Sequence, residues 1–168
     1  MIFFTADEHY EHENILRYCS RPFASAEECR EKIIENHNRV VKPGDFTYHL
    51  GDVVWRTCTI KLAQEILRRL NGKHFLIWGN HDEVARQVAG QFEWTKDCVL
   101  IKPGTVPPIW LSHYSHRVWP ESHKGSWHLY GHSHGELPGV GKSFDVGVDC
   151  NGYTPVSLQQ VSERMFTL

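Results

Sequence analysis

Six short apolar runs punctuate this chain, and five of them run straight into aspartate, asparagine or histidine. Residues 2–6 lead into Asp7-Glu8-His9, residues 46–50 into Gly51-Asp52, and residues 75–78 into Gly79-Asn80-His81-Asp82. Residues 109–111 lead through Ser112 into His113, and residues 127–130 into Gly131-His132-Ser133-His134. The sixth run, 143–148, ends at Asp149, which reads as a turn or N-cap residue. Runs this short and this rich in aromatic and branched residues are strands rather than helices.

Helical patterns lie between them. Ser25-Ala26-Glu27-Glu28 reads as a capping box, opening a helix to about Val41 with Ile33, Ile34, His37, Val40 and Val41 on its inner side. A second helix spans about 59–70, with Ile60, Ala63, Ile66, Leu67 and Leu70 inward, and a third covers 83–88. Strands alternating with helices predict an α/β layered fold. In open α/β sheets ligands bind beyond the carboxyl ends of strands. If the five polar ends converge, they form a pocket walled with Asp, His and Asn.

A chain of 168 residues suits a single domain, 1–168, able to bury about two-thirds of its unfolded surface. The net charge of -2 offers no basic footprint, so nucleic acid is a possible partner that charge does not indicate. Twelve histidines are many for this length. The five cysteines are odd in number and lack a Cys-x-x-Cys, which argues against a disulfide framework and a thiolate zinc knuckle. With no signal-peptide pattern after Met1 and no bilayer-length apolar run, the expectation is a cytoplasmic protein without a membrane partner.

Singly, each polar block has a plain structural alternative. Asp7-x-His9 is also an N-cap, Gly51-Asp52 and Gly79-Asn80 are also turns, Gly131-His132-Ser133-His134 is also a polar loop, and His113 is also a satisfied buried histidine. Taken in order, the five blocks resemble the calcineurin-like metallophosphoesterases, whose pattern is Asp-x-His, Gly-Asp, Gly-Asn-His-Asp/Glu, a lone His and Gly-His-x-His.

The resemblance implies a two-sheet sandwich flanked by helices around a dinuclear metal centre. Asp7, His9 and His134 would hold one ion, Asn80, His113 and His132 the other, and Asp52 both. His81 would be catalytic and not a ligand, with Asp82 orienting it. Carboxylate and imidazole ligands suit manganese, iron or zinc more than calcium, with manganese the metal of choice in vitro. The implied reaction is in-line hydrolysis of a phosphate ester by a hydroxide held between the metals. A small phosphodiester or nucleotide is slightly favoured, because the chain leaves little room for a peptide groove. A monoesterase, a nuclease and a non-catalytic scaffold are the alternatives, the last weakened by the full set of motif residues.

Other residues stay open. His12 either opens a short helix ending near Tyr18 and faces solvent, or contacts substrate at the pocket rim. Arg117 and Trp119, in the stretch after His113, either sit in a solvated loop or hold a phosphate oxygen and a base. Arg21 has similar status. Glu8 either faces the pocket or, as strand neighbours alternate, points away from it.

Overall fold

The computed structural model describes residues 1–167. Its first sheet is built from β1 (Ile2–Thr5), β2 (Phe46–His49), β3 (Lys73–Ile77), β4 (Trp94–Lys96) and a late strand, β9 (Val156–Ser157), in the order β4-β3-β2-β1-β9. All pairings in it are parallel except β1 with β9. The second sheet takes β5 (Cys98–Ile101), β6 (Ile109–Ser112), β7 (Trp127–Tyr130) and β8 (Ser143–Asp145) in sequence order, with β6, β7 and β8 parallel. The result is the expected α/β sandwich of two sheets flanked by helices.

Alternation along the strands makes two cores. In β3, Leu76 joins the core under the helices while Ile77 joins the one between the sheets. The inter-sheet core takes Phe4 from β1, Ile109 and Leu111 from β6, Trp127 and Leu129 from β7, and Phe144 from β8. The helix-side core is closed by α2 (Ala26–Val40) and α3 (Ile60–Arg69), with α4 (Glu83–Gln87) beside them. Ile33, Ile34 and Val41 are buried as their spacing predicts, as are Ala63, Ile66, Leu67 and Leu70. Ile60 is 44% exposed, because the first residue of α3 precedes the turn that packs on the sheet. Ser25 caps α2 by accepting from the Glu28 amide, while the Glu28 carboxylate reaches back to the Ala24 amide, one residue short of the cap.

Strands β4, β5 and β9 and the last helix have no counterpart among the runs and helices predicted above. β4 and β5 are short and only partly buried. The last helix, α5 (Leu158–Thr167), buries Val161 and Met165 against the inter-sheet core. Among the described residues no helix is long and apolar enough to cross a membrane, and the cysteines are free thiols.

The topology aims five strand ends at one place. β1, β2 and β3 run parallel, so their carboxyl ends lie on one edge of the first sheet. Parallel β6 and β7 do the same in the second. A bridge from Ala6 to Gly147 joins the end of β1 to the chain just past β8, which laces the two edges together.

Candidate metal centre

The loops that leave these strand ends are tied to one another by carboxylates. Asp7 accepts from the His132 amide at 2.9 Å, and Asp52 accepts from the His81 amide at 2.8 Å. Asp82 accepts from the amides of Gly79, Asp52 and Val53 at 2.7, 3.0 and 2.9 Å. Glycine is required where the loops touch. A Cβ on Gly79 would stand 2.1 Å from Asp52 Oδ1, and one on Gly131 would stand 2.6 Å from Asp7 Oδ2.

Five of the seven expected ligands sit in the left-handed region: Asp7, His9, Asp52, His132 and His134 have φ between 48° and 67°. That conformation is uncommon for residues with a Cβ and clusters at functional sites. Each strand stops and swings its polar side chain into the space between the sheets' edges.

Two triads result. Ligand atoms of Asp7, His9 and His134 lie within 4.8 Å of one another, and so do those of Asp52, His113 and His132. Asp52 joins them: its Oδ2 is 3.6 Å from His9 Nε2 and 3.6 Å from His113 Nε2. Asn80 Oδ1 meets His113 Nε2 at 2.9 Å. All seven expected ligands therefore gather in one place.

The donor set fits divalent cations. His9 is 4% exposed, and neither of its ring nitrogens has a hydrogen-bond partner. Buried polar atoms are rarely left that way without a ligand. His113 Nδ1 donates to the Leu50 carbonyl at 2.7 Å. In the neutral ring this leaves Nε2 with a lone pair facing the Asn80 oxygen, the tautomer a metal needs. Burial keeps His113 and His132 below the usual histidine range, which favours the neutral, ligating form. Burial also pushes the Asp7 and Asp52 carboxyls up, a penalty on their charge that nearby cations offset.

The sequence pattern of the calcineurin-like phosphoesterases matches residues 1–136. The chain belongs to that family. An uncharacterised protein of Methanocaldococcus jannaschii is 32% identical over 95% of this chain and 88% of its own length. A protein of unknown function from Aquifex aeolicus, known from its crystal structure, superposes with a TM-score of 0.77 at 25% identity, over 98% of each chain. Family membership supports metal-dependent hydrolysis of phosphoesters.

Several side chains of this calcineurin-like phosphoesterase serve ends that the sequence did not disclose. Asp149, expected as a turn or cap residue, accepts from His134 Nδ1 at 2.7 Å and leaves Nε2 for the centre. Without a cation, burial is outweighed by the bonds to Asp149 and Cys19 and the nearby Asp7, which raise His134 to about 10, so an ion held at Nε2 would displace a proton. Arg21 is buried, donates to both Asp149 oxygens at 2.7 and 2.9 Å, and donates to the carbonyls of Asp7 and Glu8. It braces the first loop and has no reach toward a substrate. Glu8 points away from the pocket and bonds His49 Nδ1 at 2.6 Å, so its charge does not face an incoming anion.

The expected role of Asp82 is corrected. Its carboxylate is taken up by three backbone amides and positions the loops, not the His81 imidazole. Of its two readings, Arg117 takes the solvated loop. It is exposed and lines a smaller pocket with Trp119 and Tyr130, which shares only Leu137 with the cavity beside the triads. Trp119 donates its indole N–H to the Ser126 carbonyl and packs near His128. His12 takes the pocket position: it is 6% exposed, precedes α1 (Glu13–Tyr18), and lines the same cavity as His9, Asp52, His81 and His134.

Proposed function

We propose that the chain hydrolyses small phosphate esters with two divalent ions, held by Asp7, His9 and His134 on one side and by Asn80, His113 and His132 on the other, with Asp52 shared. The observation that carries this is the placement of Asp52 Oδ2 at equal distance from one histidine of each triad. When bound, such ions supply an acidified water and positive charge for the phosphoryl oxygens.

The chain's own groups do the rest. His81 lines the cavity beside Asp52, and its ring packs 4.7 Å from Trp55. It belongs to neither triad. From there it hydrogen-bonds the substrate and donates a proton to the leaving oxygen, a role typically worth about 10²–10⁴-fold. Asp82 keeps the His81 loop and the Asp52 loop in fixed relation through its three amide bonds. Asn80 contributes a neutral oxygen, which limits negative charge where an anion must enter. Manganese is the metal we favour for assay, and a diester or nucleotide the substrate.

The test is a two-part measurement. The purified chain loaded with manganese should bind two ions and hydrolyse bis-p-nitrophenyl phosphate or p-nitrophenyl phosphate, the faster of the two marking diester or monoester preference. His81→Ala should keep both ions and lose about 10²–10⁴-fold in kcat. Two bound ions with no turnover of either ester would refute the hydrolase assignment. Loss of metal in His81→Ala would move His81 into the ligand set.

A further inference from the structure

The cavity beside the triads is far larger than a phosphoryl group. It encloses about 910 Å³, at the upper end of the roughly 300–1,000 Å³ that sites for whole drug-sized ligands occupy. His9, Asp52, His81, His132 and His134 form one part of its wall, and Ile15, Tyr18, Trp55, Arg56 and Leu137 form another together with His12.

That second part is ordered for binding. Trp55 is occupied on its faces: the His12 ring lies flat on it at 3.6 Å and 7°, and the Arg56 guanidinium stands 5.2 Å from its centroid. It acts as a plate that sets His12 and Arg56 in place. His12 is more than nine-tenths buried, and its Nδ1 has no hydrogen-bond partner. Tyr18 and Leu137 remain open, 63% and 45% exposed, on the wall of this one cavity. Arg17, outside the cavity wall, backs the Tyr18 ring at 5.4 Å. A singly exposed apolar side chain is ordinary; these two are distinguished by lining the cavity that the triads open into.

The geometry points to a seat for the organic part of the substrate. It takes a phosphate ester of about nucleotide size whose organic group carries a planar ring, with Tyr18 and Leu137 against the ring and Arg56 at the rim meeting a further anionic oxygen. This rests on the phosphoesterase function proposed above and deepens it. Ring-on-aromatic packing tolerates many rings because each presents a π-face, so the seat selects for a ring and a size more than for one base.

The test compares esters matched at the bond that breaks, a common p-nitrophenolate in the diester pair and a primary 5-oxygen in the monoester pair, so that the seat is the main difference within each pair. With the manganese-loaded full chain, kcat/KM is measured for the p-nitrophenyl ester of thymidine 5′-phosphate and for methyl p-nitrophenyl phosphate. The same is done for thymidine 5′-phosphate and deoxyribose 5-phosphate. The ring-bearing member of the hydrolysed pair should be preferred by about 10-fold or more, and the ratio should fall toward one in a Tyr18→Ala, Leu137→Ala double variant. Both side chains are exposed, so their truncation leaves the core untouched. Equal rates within the pair, or a preference that survives the double variant, overturn the seat. If no ester is turned over, the hydrolase assignment fails by itself. Calorimetric binding of phenylphosphonate against methylphosphonate to the metal-loaded chain then decides the seat, tighter binding of the former supporting it and equal affinity overturning it.

Discussion

In the proposed centre, Asp149 would govern how His134 meets a cation, and from outside the ligand set. Its Oδ2 accepts from the His134 ring, and the Arg21 guanidinium donates to both of its oxygens. The first bond fixes which imidazole nitrogen is free. The second holds the carboxylate ionised, since the bonds from His134 and Arg21 outweigh its burial and lower its pKa. Partners of this kind commonly carry about 10–100-fold in metal affinity. Asp149→Asn should therefore weaken manganese binding by about that factor, read by titrating the metal-free chain. An unchanged affinity would show that His134 needs no such support. Arg21 explains why sequence alone could not assign these residues. Its partner is 128 residues away, and neither Arg21-Pro22 nor a lone Asp149 belongs to any local pattern. His12 was ambiguous for a related reason: its place on the cavity wall depends on Trp55, a residue that carries no motif.

The strand ends were readable because each obeys a local rule. A short apolar run followed by glycine and a ligand-type side chain is both a strand terminus and a site block, so one pattern disclosed the parallel strands and the centre together. Elements without such an ending escaped. β4 and β5 are half-exposed edge or near-edge strands with no strong alternation. α5 did leave a signal, since Ser157-Leu158-Gln159-Gln160 forms a reciprocal capping box and Leu158, Val161 and Met165 recur at helical spacing, but it stands apart from any site block. The loops themselves also carry a requirement that a substitution can expose. A methyl group on Gly79 would overlap both Asp52 Oδ1 at 2.1 Å and the Asp52 amide at 2.5 Å. Forced overlap of this sort costs about 1–3 kcal/mol, and here relief requires Asp52 to leave the point where it faces both triads. Gly79→Ala is expected to lose stability by that amount and to bind fewer than two ions. Gly90→Ala serves as the comparison, because nothing lies within 4 Å of its Cβ position and its stability should be unchanged or slightly higher. Denaturant midpoints and metal content of the two variants, measured side by side, check this; two ions bound to Gly79→Ala would show that the loops have more room than these contacts allow.

Beyond the centre, several histidines are built into the sandwich itself and make its stability depend on pH. Burial lowers His37 to about 4, and burial with the neighbouring His49 and His37 lowers His74 to about 3. His128 is fully buried between Ser112 Oγ at 2.9 Å and Ser143 Oγ at 2.8 Å, and burial brings it to about 3. The unfolded chain takes up these protons near pH 6.5, whereas the folded chain resists them for two or more units further. Stability is then full above about pH 6.5 and falls as acid drives the pH toward the folded values, by about 1.4 kcal/mol per pH unit for each group. Other acids and bases titrate over the same range, so a difference between two proteins isolates the effect. His128→Asn keeps a polar side chain between the two serines and removes the titration. Its denaturant stability should decline less steeply than that of the parent between pH 6 and 4, by about 1.4 kcal/mol per unit, and the curves should run parallel above pH 7. Parallel curves throughout would mean that His128 protonates in the fold as readily as in the unfolded chain, and that the serine pair accommodates its charge.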